Sequence, residues 1–213
     1  MSDARDEILA RIRRALTDVP APERPADVAI PRTYLEREPE GALDRFLERV
    51  AEHGAGVRIV APSGLPEAIG EACKMHEIER VAVPADLPAA WLPEGLDAVR
   101  DDGLDLRELD EIPGAITGCG LAIAETGTIV LTGGPRQGRR ALTLVPDFHL
   151  CVVGAAQVVD GVPAAIRRLA TNLRRERRPV TFVSGPSATS DIELTRVEGV
   201  HGPRRLELVL VRR

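Results

Sequence analysis

The segment VRIVAPSGLPEAIGEACKMHEIERVAV, residues 57–83, is the stretch that decides the fold class. Two short apolar runs of strand type, at 57–61 and 80–83, flank a stretch in which apolar residues recur with helical spacing. Pro66 suits the first turn of a helix, which is predicted to run to about His76. A strand–helix–strand unit of this kind predicts a parallel sheet with a right-handed crossover.

The α/β pattern continues on both sides of this unit. Helices are predicted at 41–53 and at 164–175, the second with an inner stripe of Ile166, Leu169 and Leu173. Strands are predicted at the apolar runs 98–100, 121–124, 128–131, 141–145, 149–153, 180–183 and 206–211. The fold class is therefore α/β, with a mixed, mostly parallel sheet flanked by helices.

The N-terminal part of the chain differs from the rest. Residues 3–17 have an apolar stripe with helical spacing, and prolines then interrupt regular structure from Pro20 to Pro31. Residues 1–31 are predicted to form a helical arm with an extended proline-rich linker, and residues 32–213 one α/β domain. Charges occur throughout the first residues of the arm, which argues against a secretory signal.

Composition argues against several functional classes. The chain of 213 residues has a formal net charge of −5 and 2% aromatic residues, which disfavours a nucleic-acid surface. Lys74 is the only lysine, so the chain lacks a Walker-type phosphate loop. No apolar run approaches the length of a membrane span. We therefore expect neither nucleic-acid binding nor membrane insertion.

The three cysteines, Cys73, Cys119 and Cys151, are far apart in the sequence. Their spacing matches neither a zinc site nor an iron–sulfur cluster, and the histidines lack the spacing of a metal site. The segment 118–120 lacks the third glycine of a dinucleotide fingerprint. We expect buried free thiols in a reducing cytoplasm, no bound metal and no cofactor of the protein's own.

A second stretch, VTFVSGPSATSDIELTRVEGVHGP at 180–203, has the composition of an anion-binding turn. A short apolar strand leads into a glycine turn, and Ser190 with Glu193 has capping-box spacing at a predicted helix start, where free N–H groups favour an anion. The alternative is that these hydroxyls only close the turn and cap the helix. The expected ligand-binding residues here are Ser184, Gly185, Ser187, Ala188, Thr189, Ser190, Asp191, Glu193 and Arg196.

Glu125 and His201 are the candidate catalytic residues. Glu125 lies in a tight turn between two apolar strands, where burial would suit a catalytic base or nucleophile; the alternative is an exposed turn residue. His201 lies in a turn near the proposed anion site, and its side chain suits proton transfer near neutral pH. The predicted ligand site also includes Thr126, Gly127, Thr128 and, from a basic loop at 133–140, Arg140.

Two other features are given structural roles at this stage. His149 is expected to cap the start of a strand. The basic segment 174–178 is expected to form the solvated end of a helix, where positive charge complements the helix dipole.

Three segments resemble the LUD-domain family: SGPSATSDIELTRVEGVHGP at 184–203, GCGLAIAETGTIVL at 118–131 and DFHLCVV at 147–153. The resemblance implies a fold like that of ribose-5-phosphate isomerase, glucosamine-6-phosphate deaminase and the coenzyme A transferases. It also implies a role in oxidising L-lactate to pyruvate beside iron–sulfur partner proteins, which would carry the electrons.

Two functions stay open. In the first, the chain is a non-redox component of an L-lactate utilization system that binds a small anionic metabolite or organises its partners. In the second, it is a free-standing enzyme acting on a phosphorylated or coenzyme A-linked metabolite, as the fold relatives do. The segment AETGT at 124–128 loosely resembles the segment that holds the glutamate nucleophile of coenzyme A transferases, with Thr126 in place of an asparagine.

Overall fold

The computed structural model describes residues 2–18, 24, 41–176, 178–186 and 202–212 of the chain. The chain divides into two compact units, Met1–Leu35 and Glu36–Arg213. The domain boundary predicted after residue 31 falls between the described residues 24 and 41, so it stays a prediction. In the first unit, the predicted helix is present as α1 (Ser2–Ala15).

The second unit alternates strands and helices along the chain. Its α-helices are α2 (Ala42–Glu52), α3 (Leu65–Met75), α4 (Leu106–Asp110) and α5 (Val162–Glu176). Its strands are β1 (Gly56–Val60), β2 (Arg80–Pro84), β3 (Asp97–Asp101), β4 (Gly114–Gly118), β5 (Leu121–Ile123), β6 (Thr128–Leu131), β7 (Phe148–Gly154), β8 (Val158–Val159), β9 (Thr181–Val183) and β10 (Arg205–Val211).

These strands form two sheets within the described residues. The large sheet has the order β1-β10-β7-β4-β2-β3, and all of its strand pairs are parallel. The small sheet has the order β8-β5-β6-β9, in which β6 is antiparallel to both of its neighbours. The predicted α/β class with a mixed, mostly parallel arrangement is confirmed.

The two sheets pack in layers with the helices. On one face of the large sheet, α3 packs through residues such as Ile69. On the other face, α2 and the small sheet pack through Phe46 and Ile129, and α5 covers the outer face of the small sheet through Leu169. Burying one such side chain fully contributes about 1.5 to 3 kcal/mol, so these contacts fix the order of the layers.

The central strand β4 is the main element that the sequence analysis missed. All five of its residues are buried, and it pairs with β7 and β2. Between its glycines lie only three residues, two of them apolar, so it carries little periodic signal. A Cβ atom on Gly114 would lie 3.0 Å from a ring carbon of Phe148, which explains why a glycine begins this strand.

Two local predictions are wrong. Residues 141–145 are not a strand, because Arg140–Thr143 is a 3-10 helix and the N–H groups of Leu144 and Val145 bond back to the carbonyl of Ala141. On α5, Ile166 is 47% exposed, whereas Ala165 is buried. Leu169 is buried as predicted, so the error in the predicted stripe lies at Ile166, and Ala165 takes its place.

The segment 84–114, for which only one strand was predicted, also contains α4. This helix begins with a capping box, in which the Asp105 side chain accepts from the backbone of Glu108, and the Glu108 side chain accepts from the backbone of Asp105. The spacing of these two acids is a helix-start signal that the sequence analysis did not use. Among the described residues, none of the helices combines the length and the apolar character that crossing a membrane requires.

Candidate functional site

The large sheet has a topological switch point between β2 and β4. From the carboxyl end of β2, at Pro84, the chain continues to β3 on one side of the sheet. From the carboxyl end of β4, at Gly118, it continues toward β7 on the other side. Open α/β sheets bind ligands in the crevice that such diverging connections leave, so this edge is where a site is expected.

A loop rich in glycine and arginine, residues 132–140, lies at this crevice; we call it the arginine loop. Its Arg136 joins the two strand ends, since its N–H donates to Oδ2 of Asp86 (2.8 Å) and its carbonyl accepts from the N–H of Gly118 (2.7 Å). Arg136 has φ of 63°, a left-handed conformation that costs a non-glycine residue about 1 to 2 kcal/mol. Strained residues of this kind cluster at ligand-binding sites.

The buried side chain of Gln137 sets the shape of the arginine loop. Its Oε1 accepts from the N–H of Thr132 (2.7 Å) and from the Thr132 hydroxyl (3.3 Å). A Cβ atom on Gly134 would lie 2.9 Å from Nε2 of Gln137, so a glycine lets the loop close around this amide. Gln137 was not among the predicted site residues, because a polar residue among glycines is equally typical of an exposed loop.

Two of the three arginines in this loop have a partner that interacts with the positive charge of the guanidinium. The Cζ atom of Arg136 lies 5.7 Å from the ring centroid of Trp91, a cation–π arrangement. Arg139 donates from Nε to Oδ2 of Asp101 (2.9 Å) and from Nη2 to Oδ1 (3.0 Å). The Asp101 side chain is 3% exposed, so this fork neutralises Arg139 at the end of β3.

Arg140, the third arginine, has only neutral hydrogen-bond partners in the part of the chain that the structure describes. Its Nη1 donates to the carbonyl (3.0 Å) and to the hydroxyl oxygen (2.9 Å) of Thr143. Burial lowers the pKa of Arg140. A half-buried cation without a carboxylate partner has lost part of its hydration, and a bound anion would offset that cost.

His149 is a fully buried neighbour of Arg140. Its Nε2 lies 2.8 Å from the hydroxyl of Thr117, and its side chain is 1% exposed. Burial, and secondarily the charge of Arg140, lowers the pKa of His149 to about 4, so the imidazole is neutral at pH 7. The prediction that His149 caps a strand is wrong, because it lies within β7 and is paired on both sides, with Ala115 and with Leu206.

Three cavities lined by described residues surround the arginine loop. One of about 330 Å³, which we call the Arg140 cavity, is lined by Arg139, Arg140 and Arg178 and by no described aspartate or glutamate. An adjoining cavity of about 230 Å³ shares Arg178 with it. A third cavity of about 570 Å³ differs, because Asp86 and Asp101 are in its lining. Two of these cavities have arginines but no described acidic residue in their lining, and the Arg140 cavity is the larger of the two.

Arg178 lies at this loop and is not simply part of a solvated helix end, as was predicted for segment 174–178. It follows α5 in the chain, and its Nη1 donates to the carbonyl of Gly133 (2.6 Å). The contact connects residues 45 positions apart, so the sequence around the basic run gave no sign of it.

Three of the predicted ligand residues, Thr126, Thr128 and Ser184, meet at the opposite end of β6; we call this group the hydroxyl turn. The Thr128 hydroxyl oxygen lies 2.7 Å from that of Thr126 and 2.6 Å from that of Ser184. Thr128 is 3% exposed, and these contacts can use both its donor and an acceptor position. The pairing of β6 with β9 brings these residues together.

Two glycines that were predicted as ligand-binding residues hold the hydroxyl turn against the end of α2. Gly127 has φ of 60°, which confirms the tight turn predicted between β5 and β6, and a Cβ atom there would lie 2.8 Å from the backbone of Arg49. Gly185 has φ of 107°, and a Cβ atom there would lie 2.8 Å from Cβ of His53. The His53 ring also lies 3.1 Å, through Nε2, from the carbonyl of Thr126.

Arg140 does not join this group. Strand β6 runs from Thr128 in the hydroxyl turn to Leu131, which is in the lining of the Arg140 cavity. At about 3.3 Å per residue the two ends are about 10 Å apart, so the predicted ligand residues divide into two separate regions.

Glu125 is exposed, so of the two alternatives left open by the sequence, the exposed turn residue is the one present. The turn directs its side chain toward the start of α5, where Oε2 accepts from the N–H of Val162 (3.4 Å). A carboxylate is favourable at a helix N-terminus, which gives Glu125 a structural role there. Its catalytic role stays a prediction. The predicted site residues Ser187, Ala188, Thr189, Ser190, Asp191, Glu193, Arg196 and His201 lie outside the described residues.

The cysteines are buried and free, as predicted. A hydrogen bond with Cys119, together with burial, raises the pKa of Cys151. Burial raises the pKa of Cys73 to about 11. Both thiols are therefore protonated at neutral pH and are poor nucleophiles. Among the described residues, no three His, Cys, Asp or Glu side chains converge as metal ligands would.

The family model described as "LUD domain" matches residues 43–211. The chain belongs to the LUD domain family. The matched range contains β2, β4, the arginine loop and the hydroxyl turn, so every part of the candidate site lies in the LUD domain. The family resemblance found in the sequence is confirmed.

Relatives of this LUD-domain chain include proteins with functional names. It is 44% identical over 211 residues to Lactate utilization protein C of Deinococcus radiodurans, covering 99% of this chain and 96% of the relative. It is 29% identical to Lactate utilization protein C 1 of Bacillus mycoides, covering 80% of each. A crystal structure of a DUF162 family protein from Deinococcus radiodurans matches with a TM-score of 0.70 and 42% identity, covering 80% of this chain and 96% of that one.

Proposed function

We propose that this chain is a non-redox component of an L-lactate utilization system, in which lactate is oxidised to pyruvate with iron–sulfur proteins as partners. The observation that carries the proposal is the 44% identity, over 99% of this chain, to a protein named Lactate utilization protein C. The three buried free cysteines suit a reducing compartment, so the proposal places the protein in the cytoplasm.

In this role the chain binds a small anionic metabolite. Lactate and pyruvate each carry one carboxylate, and an arginine with neutral partners, Arg140, lies at the switch point of the large sheet. A guanidinium matches the geometry of a carboxylate and can bind it through two hydrogen bonds. Glu125, His201 and the hydroxyl residues at 187–190 stay predictions for this role.

The proposal assigns different roles to this chain and to its partners. The chain has no dinucleotide fingerprint and no cysteine spacing for a cluster, so in this proposal the partner proteins carry the electrons. The chain itself binds and orients the anion or holds the partners together. A catalytic function on a thioester or a sugar phosphate is the competing possibility.

Growth of a deletion strain tests the proposed function. The native host without this gene is expected to lose growth on L-lactate and to keep growth on glucose, and the restored gene should reverse the defect. Unchanged growth on L-lactate would contradict the proposal. Turnover of a coenzyme A thioester or a sugar phosphate by the pure chain would then support the free-standing enzyme.

Affinity capture tests the partners. A tagged chain is purified from cells grown on L-lactate and from cells grown on glucose, and the bound proteins are identified by mass spectrometry. Iron–sulfur proteins enriched only in the first sample are expected. Their absence from both samples would contradict the partner part of the proposal.

A further inference from the structure

We infer that the Arg140 cavity binds a small monocarboxylate, with Arg140 pairing with the carboxylate group. The inference rests on the proposed function for the choice of lactate and pyruvate as the ligand class. The assignment of an anion to this cavity rests on the geometry of the cavity itself.

The charge of the cavity favours an anion. Its lining includes three arginine side chains and, in the described part of the chain, no aspartate or glutamate. Arg139 is already neutralised by Asp101, whereas Arg140 donates only to neutral oxygens of Thr143. Arg140 thus brings to the lining a positive charge that no carboxylate of the described residues balances, and a negatively charged ligand group would balance it.

The position of Arg140 is fixed before any ligand arrives. Its Nη1 donates twice to Thr143, which is buried, and Thr143 in turn donates from its hydroxyl to the carbonyl of Arg140. The neighbouring imidazole of His149 is neutral at pH 7, so it adds no positive charge to that of the arginines. A guanidinium held in place loses little conformational entropy when it binds, which favours affinity.

The rest of the lining suits a ligand with a short apolar group and one further polar atom. Leu131 and Pro179 supply apolar surface. Thr181 also lines the cavity, and its hydroxyl has no hydrogen-bond partner within the described residues. A volume of about 330 Å³ accommodates a small metabolite but lies at the lower end for drug-sized ligands. A 2-hydroxy or 2-oxo monocarboxylate with a methyl group has this combination of groups.

Calorimetric titration of the full-length protein with L-lactate, pyruvate and inorganic phosphate tests the inference. We expect L-lactate or pyruvate to bind the wild type, and Arg140→Gln to weaken that binding about 10- to 100-fold, the effect of losing one hydrogen bond to a charged group. Arg107→Gln is the matched control, because Arg107 is an exposed arginine on α4 and is not in the lining of the cavity. The Arg107→Gln variant should bind L-lactate or pyruvate as tightly as the wild type does.

Each other outcome counts against the inference. Equal affinity in Arg140→Gln and the wild type would remove Arg140 from the site. Phosphate that binds more tightly than both carboxylates, and depends on Arg140, would overturn the monocarboxylate assignment. A wild type that binds none of the three probes, in a host that needs the gene for growth on L-lactate, would overturn the inference and leave the proposed function intact.

A second measurement avoids dependence on the folding of a variant. Phenylglyoxal modifies guanidinium groups, and mass spectrometry of the wild-type protein reports the modification of each arginine. Pyruvate or L-lactate at saturating concentration should protect Arg140 at least several-fold and leave Arg107 unprotected. Equal modification of Arg140 with and without these ligands would overturn the inference even if Arg140→Gln does not fold.

Discussion

The arginine loop and the hydroxyl turn lie at opposite ends of β6, and they use their polar groups differently. In the hydroxyl turn, the Thr128 hydroxyl is bonded to those of Thr126 and Ser184, and its neighbouring glycines pack against α2. At the arginine loop, a half-buried guanidinium, that of Arg140, has only neutral partners among the described residues. Polar groups that satisfy one another hold a fold together, whereas an unbalanced buried charge favours a ligand.

The hydroxyl turn shows that residue types typical of ligand sites can also be occupied by contacts within the fold, and the ligand-binding role of Thr126, Thr128 and Ser184 stays a prediction. Threonine, serine and glycine in the hydroxyl turn matched an anion-binding composition, yet in the structure their contacts are those of a packed turn. The sharpest test of the comparison is to change each region separately and to measure stability and ligand affinity for both.

The largest expected effect is on stability, from Gly127→Ala in the hydroxyl turn. The new Cβ atom would lie 2.8 Å from the backbone of α2. The alanine would also have to adopt the left-handed backbone conformation of Gly127. We expect the free energy of unfolding to fall by about 2 to 5 kcal/mol. Gly95→Ala is the matched control, because Gly95 also has a positive φ but has open space around its Cβ position. Chemical denaturation that shows equal losses in both variants would remove the packing role of Gly127.

The next largest expected effect is a pH dependence of the free energy of unfolding, which comes from His149, the buried neighbour of Arg140. His149 takes up a proton near its ordinary pKa of 6.5 when unfolded, but only near about 4 when folded. Between these values the unfolded state binds more protons, so the free energy of unfolding should fall by about 3 kcal/mol as the pH drops from about 6.5 to 4. The measurement is chemical denaturation across this pH range for the wild type and for His149→Gln. The same pH slope in both proteins would show that His149 does not titrate as described.

Asp101→Asn should change stability and affinity in opposite directions. The variant loses the charge that neutralises Arg139, and the free energy of unfolding should fall by about 1 to 3 kcal/mol. The lining of the Arg140 cavity becomes more positive, so pyruvate should bind about 2- to 5-fold more tightly. Denaturation and calorimetry measure the two effects. Weaker binding of pyruvate would mean that Arg139 does not act on the ligand through its charge.

The smallest expected effect comes from Thr128→Val, which removes the central hydroxyl of the hydroxyl turn. The loss of its hydrogen bonds should reduce the free energy of unfolding by about 1 kcal/mol. Affinity for pyruvate should not change, because Thr128 lies at the other end of β6 from the Arg140 cavity. A variant that is as stable as the wild type but binds pyruvate more weakly would reverse the roles assigned to the two regions.

Much of the fold could be predicted from the sequence, because its elements have strong periodic patterns. The unit at 57–83 is present as β1, α3 and β2, and the tight turn at Gly127 was also predicted correctly. Strand β4 was missed, since two apolar residues and a threonine between glycines carry no clear period. Local patterns thus identified most elements but not the strand at the centre of the sheet.

The candidate site was less predictable, because its key contacts are distant in the sequence. Arg140 was predicted as a ligand residue from the basic loop alone. The partner that neutralises Arg139, Asp101, lies 38 positions away, and only the fold brings the two together. A single sequence therefore shows which arginines are available, but not which of them the fold pairs with a carboxylate.

A crystal structure of the protein grown with pyruvate would show whether Arg140 binds the carboxylate. The account predicts electron density for the pyruvate carboxylate within hydrogen-bond distance of the Arg140 guanidinium, in the cavity also lined by Thr143 and Thr181. Pyruvate bound at the hydroxyl turn, beside Thr126 and Ser184, with none in the Arg140 cavity, would contradict it.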